Sequence, residues 1–351
     1  MSAKTMTEKL SEREKTILRN IIYSFIQTAT PVGSRYISKR HAVGLSPASV
    51  RNVMADLEYL GYINHPHTSA GRVPTDKGYR VYVDSLIALE QLSEAEQTAI
   101  QMHLQNASPE IDDLLKATSK LLGTISHQLG VVSSPRISSG VFEKLELVQI
   151  SSTRILVIIS IRSGFVRTIM MDVHAEIPRA KLEYLAQILN ERFSGMTLAQ
   201  IRKTFSSRVH DIESESTGLI RLFVDSVDKL FTNSGSADKL HIGGTQSLLA
   251  QPEFFDTENF RSIIEILENE DIIVHILEKK KPKEGKVSVS IGQENEDKKL
   301  RDYTIVSSQY AIGDTVGTIS VFGPKRMNYS KVIPVVDYVA KTISSLFATG
   351  N

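Results

Sequence analysis

The 351 residues include no cysteine, which excludes disulfides, thiolate zinc sites and thiol-based redox switching. No charged-then-apolar leader opens the sequence. The longest apolar run, Ile155 to Ile159, falls far short of the roughly 20 residues that cross a bilayer. A cytoplasmic protein with no membrane partner is expected. There is no phosphate-cradling Gly-x-x-x-x-Gly-Lys loop, and Gly243-Gly244 is followed by neither the lysine nor the spacing that nucleotide hydrolysis needs. His65 and His67 flank Pro66, with no third histidine or carboxylate close by to complete a metal site. Ser133-Ser134 and Ser138-Ser139 lack a nucleophile-elbow pattern. Neither a metal, a cofactor nor an enzyme activity is expected.

What the chain does contain is length and an uneven charge. Its length implies two or three domains. The net charge of +1 divides into +5 over residues 1–88, with 12 Lys and Arg against 7 Asp and Glu, and −4 over the rest. The excess is modest, but it accompanies the most informative stretch, Pro31 to Tyr82, as an electrostatic footprint on nucleic acid requires.

That stretch reads as helix, tight turn, helix and hairpin. Gly44 suits a left-handed residue between helices, Ser46 an N-cap and Pro47 a first helical turn. Val50, Val53, Met54 and Leu57 recur at i, i+3, i+4 and i+7, so this stripe faces the core. Ala48, Arg51, Asn52, Ala55 and Tyr59 then turn outward. In a major groove, Ala48 and Ser49 permit close approach, Arg51 matches guanine and Asn52 adenine, and the helix start at Ser46 meets phosphate. An ordinary solvated helix face would give the same pattern, so context has to decide. Pro66, Gly71 and Pro74 punctuate a loop between two short strands, with His67, Thr68, Ser69 and Arg72 placed at its tip as DNA-binding residues and Arg72 within reach of a minor groove or phosphate. The metal alternative for His65 and His67 yields to this wing-loop role. Arg35, Lys39 and Arg40, beside the turn, suit phosphate contact or a solvated basic face equally.

These residues resemble the bacterial heat-inducible transcription repressor family HrcA. The resemblance is carried by Pro-Val-Gly-Ser-Arg at 31–35, Leu-Ser-Pro-Ala-Ser-Val-Arg-Asn at 45–52, Met-Ala-Asp-Leu-Glu at 54–58 and Gly-Tyr-Ile at 61–63. It continues through Pro-His-Thr-Ser-Ala-Gly-Arg-Val-Pro-Thr at 66–75 and Gly-Tyr-Arg-Val-Tyr-Val-Asp at 78–84, and returns in Gly-Pro-Lys-Arg-Met-Asn-Tyr at 323–329. It implies a multidomain α+β protein: a winged helix-turn-helix DNA-binding domain over 1–88, a GAF-like α/β domain from 89–140 and 235–351, and an inserted α+β dimerisation domain over 141–234. It also implies a homodimer on double-stranded DNA, the inverted repeat called CIRCE upstream of chaperone operons. Repression would be relieved by heat, with a GroEL-type chaperonin maintaining the active repressor.

The remaining elements follow from periodicity. Ser11 with Glu14 and Ser93 with Glu96 have capping-box spacing, and the first of these opens a helix over about 11–28. Tyr79, Tyr82, Val83, Leu86 and Ile87 describe a fourth helix whose tyrosines are predicted to pack rather than stack on bases. A helix beginning at Ser108-Pro109 carries an apolar edge from Ile111 to Leu129, and Val131 to Gly140 reads as a connector. Leu145–Ile150, Arg154–Ile161 and Phe165–Val173 form an antiparallel meander. Three helices follow, near 182–189, 197–206 and 219–231, and Asn233 to Ala237 reads as a linker. A short strand then leads into helices around 257–278. Glu278 to Lys286 is a solvated, lysine-rich loop, followed by a second antiparallel sheet built from Val287–Ile291, Tyr303–Ser307 and Thr315–Phe322. A last helix carries Val332 to Leu346 on one face.

Two rival functions stay open. One makes the C-terminal sheet domain a small-molecule sensor, although its strands offer few polar residues for a pocket. The other is an enzyme with an incidental winged domain, which the missing acid, base and nucleophile oppose.

Overall fold

The computed structural model describes residues 10–41, 43–66, 71–107, 110–173, 176–212, 219–231, 240–269, 273–274 and 285–348. The chain mixes helix and sheet and divides into two units. One comprises residues 1–132, 241–309 and 319–340; the other comprises 133–240, 310–318 and 341–351.

The first unit opens with the helix Glu12–Thr28, whose capping box at Ser11 and Glu14 is formed on both sides. Helices Ser34–Arg40 and Pro47–Tyr59 follow, then strands β1 (Ile63–Asn64) and β2 (Val73–Pro74), paired antiparallel. Ile17, Leu18, Ile21, Ile37, Val50 and Leu57 meet in the resulting core, each fully buried. The closing helix differs from its sequence reading. It is α-helical over Asp76–Val81 and then widens into a π turn over Tyr82–Leu86, with Ile87 N–H donating to the Tyr82 carbonyl at 2.9 Å. Tyr79 and Tyr82 are both buried, as packing residues are.

Helices Glu94–Gln105 and Ile111–Ser126 pack on each other, and the second lies against a five-stranded sheet. Its strands are β3 (Leu129–Ser133), β7 (Leu240–Gly243), β8 (Ser288–Ile291), β9 (Tyr303–Ile312) and β10 (Thr315–Pro324), in the order β7-β3-β10-β9-β8. Here the structure corrects two expectations. Leu129 does not extend the helical edge, because His127 adopts the left-handed conformation (φ 54°) and stops the helix at Ser126. Val131 and Val132 are not connector but buried strand, pairing antiparallel with Ser320 and Ile319. Gly130 permits this, since a Cβ there would meet the Ser119 carbonyl oxygen at 2.2 Å. In β10 nearly every residue is buried, so both faces of that strand are covered. Residues 233–237, and all of the lysine-rich loop except Gly285 and Lys286, lie outside the described residues.

The second unit is built on the meander β4 (Phe142–Ser151), β5 (Arg154–Ile161) and β6 (Val166–Asp172), antiparallel throughout. Alternate residues Ile155, Val157, Ile159 and Ile161 face helices Arg179–Phe193 and Leu198–Val209, which return Leu182, Leu185, Leu189 and Ile201 to the same core. Phe142, Phe193, Phe205 and Phe231 run through it with successive ring centroids 6.3, 5.1 and 5.6 Å apart. The predicted helix over 219–231 is two, Leu219–Asp225 and Val227–Phe231, interrupted at Ser226.

Candidate nucleic-acid interface

Four hydrogen bonds position the Pro47–Tyr59 helix. Ser46 is its N-cap (φ −66°, ψ 155°), and its hydroxyl accepts from Ser49 N–H at 3.1 Å. Ser38 Oγ donates to the Leu45 carbonyl at 2.7 Å and pins the turn, which Gly44 negotiates at φ 65°. Ser24 Oγ lies 2.8 Å from His41 Nε2, joining the first helix to the same turn. Burial, and then the neighbouring Arg40 charge, lower the His41 pKa, so the imidazole is held toward its neutral form. At the other end Lys77 Nζ donates to the Leu60 carbonyl at 2.7 Å, a cation at the negative end of the helix, and lies 4.3 Å from the Tyr62 ring centroid.

With the helix so fixed, Val50 and Leu57 are fully buried, and Val53 and Met54 nearly so. The opposite face presents Ala48, Arg51, Asn52, Ala55 and Tyr59 to solvent, Tyr59 at 92% exposure. Ser46 and Arg35 are also exposed, and Ser49 is half-buried behind its bond to Ser46. Asp56, not singled out in the sequence, shares the exposed face. It sits one turn past Asn52, so the donor-rich part of the surface is confined to the N-terminal half of the helix.

The hairpin departs from expectation at Arg72. Its guanidinium does not project freely from the loop tip: Nε donates to Glu58 Oε2 at 2.9 Å and Nη2 lies 2.8 Å from the same oxygen. Its backbone exchanges two 2.9 Å hydrogen bonds with Val32, an isolated antiparallel bridge that adds a third stretch of chain to the hairpin base. The close approach requires Gly71, where a Cβ would sit 2.5 Å from the Pro31 carbonyl carbon. The reach of Arg72 is therefore limited by a carboxylate that sequence spacing gave no means of pairing with it. Only the extended bias of Pro31-Val32 before a helix hinted at the bridge. His67, Thr68 and Ser69 lie outside the described residues.

This surface joins a guanidinium with five donors and an amide with both donor and acceptor to a small-residue approach, and the capped helix start offers N–H groups to an anion. Among the described residues no group of three or more His, Asp or Glu could hold a metal ion, and no helix is long and apolar enough to cross a membrane.

The family model for the HrcA protein C terminal domain matches residues 112–333. The heat-inducible transcription repressor HrcA of Chlorobium phaeobacteroides (strain BS1) is 43% identical over 348 residues, which span 97% of this chain and 99% of that protein. The chain belongs to the HrcA family. The HrcA protein of Chlorobaculum parvum (strain DSM 263 / NCIMB 8327) is 45% identical over 356 residues, again with 97% and 99% covered. HrcA relatives are thus similar across the N-terminal helices as well as the part that the family model matches, and the family is one of transcription repressors, which is not an enzyme class. A solved structure described as "Crystal structure of a hypothetical protein at 2.2 A resolution" shares the fold, with a TM-score of 0.60 and 23% identity over 98% of this chain and 100% of that one.

Proposed function

We propose that this HrcA-family protein is a homodimeric repressor whose N-terminal residues 1–88 form a winged helix-turn-helix that reads double-stranded DNA. The observation that carries the reading is the exposed N-terminal half of the Pro47–Tyr59 helix, where Ala48, Arg51 and Asn52 share one surface behind the Ser46 cap. Arg51 pairs with a guanine edge and Asn52 with an adenine edge. Ser46 and Arg35 meet phosphates, and the wing contacts the adjoining backbone or minor groove through Arg72, with His67, Thr68 and Ser69 as further DNA-binding residues. A two-fold dimer presents two such helices and selects an inverted repeat, which in this reading is the CIRCE element upstream of chaperone operons. Heat relieves repression, and a GroEL-type chaperonin maintains the active dimer.

The 141–234 insertion is the dimerising domain in this reading. Support comes from the outer face of its meander, where Val148, Leu156 and Met170 are aligned across the three strands, with Val148 and Met170 exposed. Residues 89–140 and 235–351 supply the GAF-like body. A gel-shift titration on an inverted-repeat promoter fragment, with and without chaperonin, tests the whole. The expected result is a complex of two chains per repeat, formed at far lower protein concentration than on scrambled duplex and preserved longer at elevated temperature when chaperonin is present. Equal affinity for repeat and scramble would overturn it.

A further inference from the structure

The basic stretch 323–329, Gly-Pro-Lys-Arg-Met-Asn-Tyr, has no part in the DNA reading above. Within the first unit it lies against the N-terminal part that carries the Pro47–Tyr59 helix, the head. Arg326 Nη1 donates to the Ile26 carbonyl, in the last turn of the first helix, at 2.6 Å. Lys325 Nζ lies 2.9 Å from Asp76 Oδ1, at the start of the helix Asp76–Val81. The rings of Tyr329 and Tyr79 meet with centroids 5.9 Å apart, both side chains buried.

The helix Asp76–Val81 carries most of the joint. Asp76, Tyr79 and Arg80 stand at i, i+3 and i+4, so one face turns all three toward the sheet body. Asp76 seats its carboxylate against the turn Gly292–Glu294, where Gln293 N–H donates to Oδ2 at 3.0 Å. Gly292 leaves the room for it, since a Cβ there would collide with the carboxylate. Arg80 Nε donates to Glu294 Oε1 at 2.7 Å, and Nη2 reaches both Glu294 Oε2 and the Val289 carbonyl, the latter at 2.7 Å. A planar guanidinium held by a carboxylate and a carbonyl at once has its direction fixed, where a lone ammonium would be free to turn. The ties at Ile26, Asp76 and Arg80 engage two different helices of the head, and a head restrained at several points cannot pivot as it could about one.

We propose that Asp76 and Arg80 are positioning residues for DNA reading: held by Lys325 and the Gly292–Glu294 turn, they fix the angle at which the sheet body presents the head, and so the half-site separation that two paired chains accept. The proposal rests on the inverted-repeat reading above. One base pair added between half-sites moves them apart by about 3.4 Å and turns one against the other by about 35°. A head held at a fixed angle tolerates little of this, and a head on a loose joint tolerates more. The body residues of the joint touch no DNA in this reading, so loosening them changes the tolerance and not the contact of one head with one half-site.

The test loosens the joint from the body side, with Lys325→Gln and Glu294→Gln combined in the full chain, so the head keeps its own sequence. Because the chain has no cysteine, Arg13→Cys on the first helix and Glu258→Cys on the helix Thr257–Glu268, both exposed, take a pair of spin labels. Labelled chain is diluted in unlabelled chain so that only distances within one chain are read. Without DNA, wild type is expected to give one narrow distance distribution and the double variant a broad one. Gel shifts on inverted repeats of varied spacer should then show wild type at least about tenfold tighter on its best spacer than on one two base pairs away, a ratio that falls to about threefold or less in the variant. Affinity for a single half-site should stay the same. Distributions of equal width overturn the proposal whatever the DNA results, as does an unchanged spacer ratio or tighter binding by the variant at every spacer. Should wild type bind repeat and scramble alike, the inverted-repeat reading falls and the spacing claim with it, while the distance distributions still decide whether these residues hold the head. If the double variant does not fold, Gly292→Ala, which sets a Cβ against Asp76, loosens the same joint and is judged by the same two measurements.

Discussion

Arg72 and Glu58 grip each other across the base of the hairpin, with two guanidinium nitrogens within 2.9 Å of one carboxylate oxygen. Both side chains are partly shielded, at 20% and 31% exposure, so the pair belongs between a surface ion pair and a buried one and contributes on the order of 1–2 kcal/mol. Its charges are committed to the fold, and Arg72 reaches DNA phosphate only by sharing or leaving Glu58. Glu58→Gln should therefore lower stability by about that amount while raising affinity for scrambled duplex a few-fold, because the released cation joins the phosphate-binding set. Urea denaturation and fluorescence anisotropy on scrambled DNA measure the two effects. Unchanged anisotropy would show that Arg72 serves the hairpin alone.

Among the described residues no carboxylate pairs with Arg51, which stands exposed on the helix. Arg51→Ala should weaken binding to the inverted repeat by about 1–3 kcal/mol per half-site, with little loss on scrambled duplex. Parallel anisotropy titrations on both DNAs decide it. Equal losses would reassign Arg51 to the phosphate backbone.

How far these residues could be read in advance depended on distance along the chain. The Ser46 cap, Pro47 at the helix start, the Val50–Leu57 stripe and the capping boxes at Ser11 and Ser93 each involve residues within a few positions of one another, and all were legible. The exposed face of the helix followed from that periodicity. What failed was non-local. Leu129–Ser133 is a strand because Ile319–Phe322 pairs with it almost two hundred residues later, and the left-handed His127 that ends the preceding helix carries no glycine to announce it. The Glu58 partner of Arg72 arises only once the hairpin folds back beside the helix. Neither the π turn after Val81 nor the break at Ser226 has a proline or glycine as a signal.

Acid should expose one tie within the first unit. Glu96 accepts from Lys331 and from Ser93, and these bonds, Lys331 first, lower its pKa to about 2 from 4.5. A carboxylate with a depressed folded pKa adds stability that is fully present above its unfolded value and is lost as pH falls through the folded one. The Glu96 contribution is therefore constant above about pH 5 and fades between about 4.5 and 2. Comparing wild type with Glu96→Gln by chemical denaturation should give a difference at pH 6 that shrinks at pH 3. A pH-independent difference would assign the effect to the Ser93 cap rather than to ionisation.

The outer face of the meander links assembly to DNA affinity. Leu156 is flanked in register by Val148 on one strand and Met170 on the other, a short apolar row on the side opposite the Ile155, Val157 and Ile159 core. A charge placed there leaves the core untouched, so Met170→Glu should keep the fold and its melting temperature while opposing burial of the row in a dimer. If this face joins two chains, sedimentation should show the variant as a monomer at concentrations where wild type is dimeric. Each monomer then binds one half-site without help from its twin, and affinity for the full inverted repeat should fall by about 10²–10⁴, while affinity for an isolated half-site duplex stays the same. A variant that remains dimeric would place the two-fold contact on another surface, and a matching loss on the half-site duplex would mean that the substitution had damaged the DNA-reading head itself.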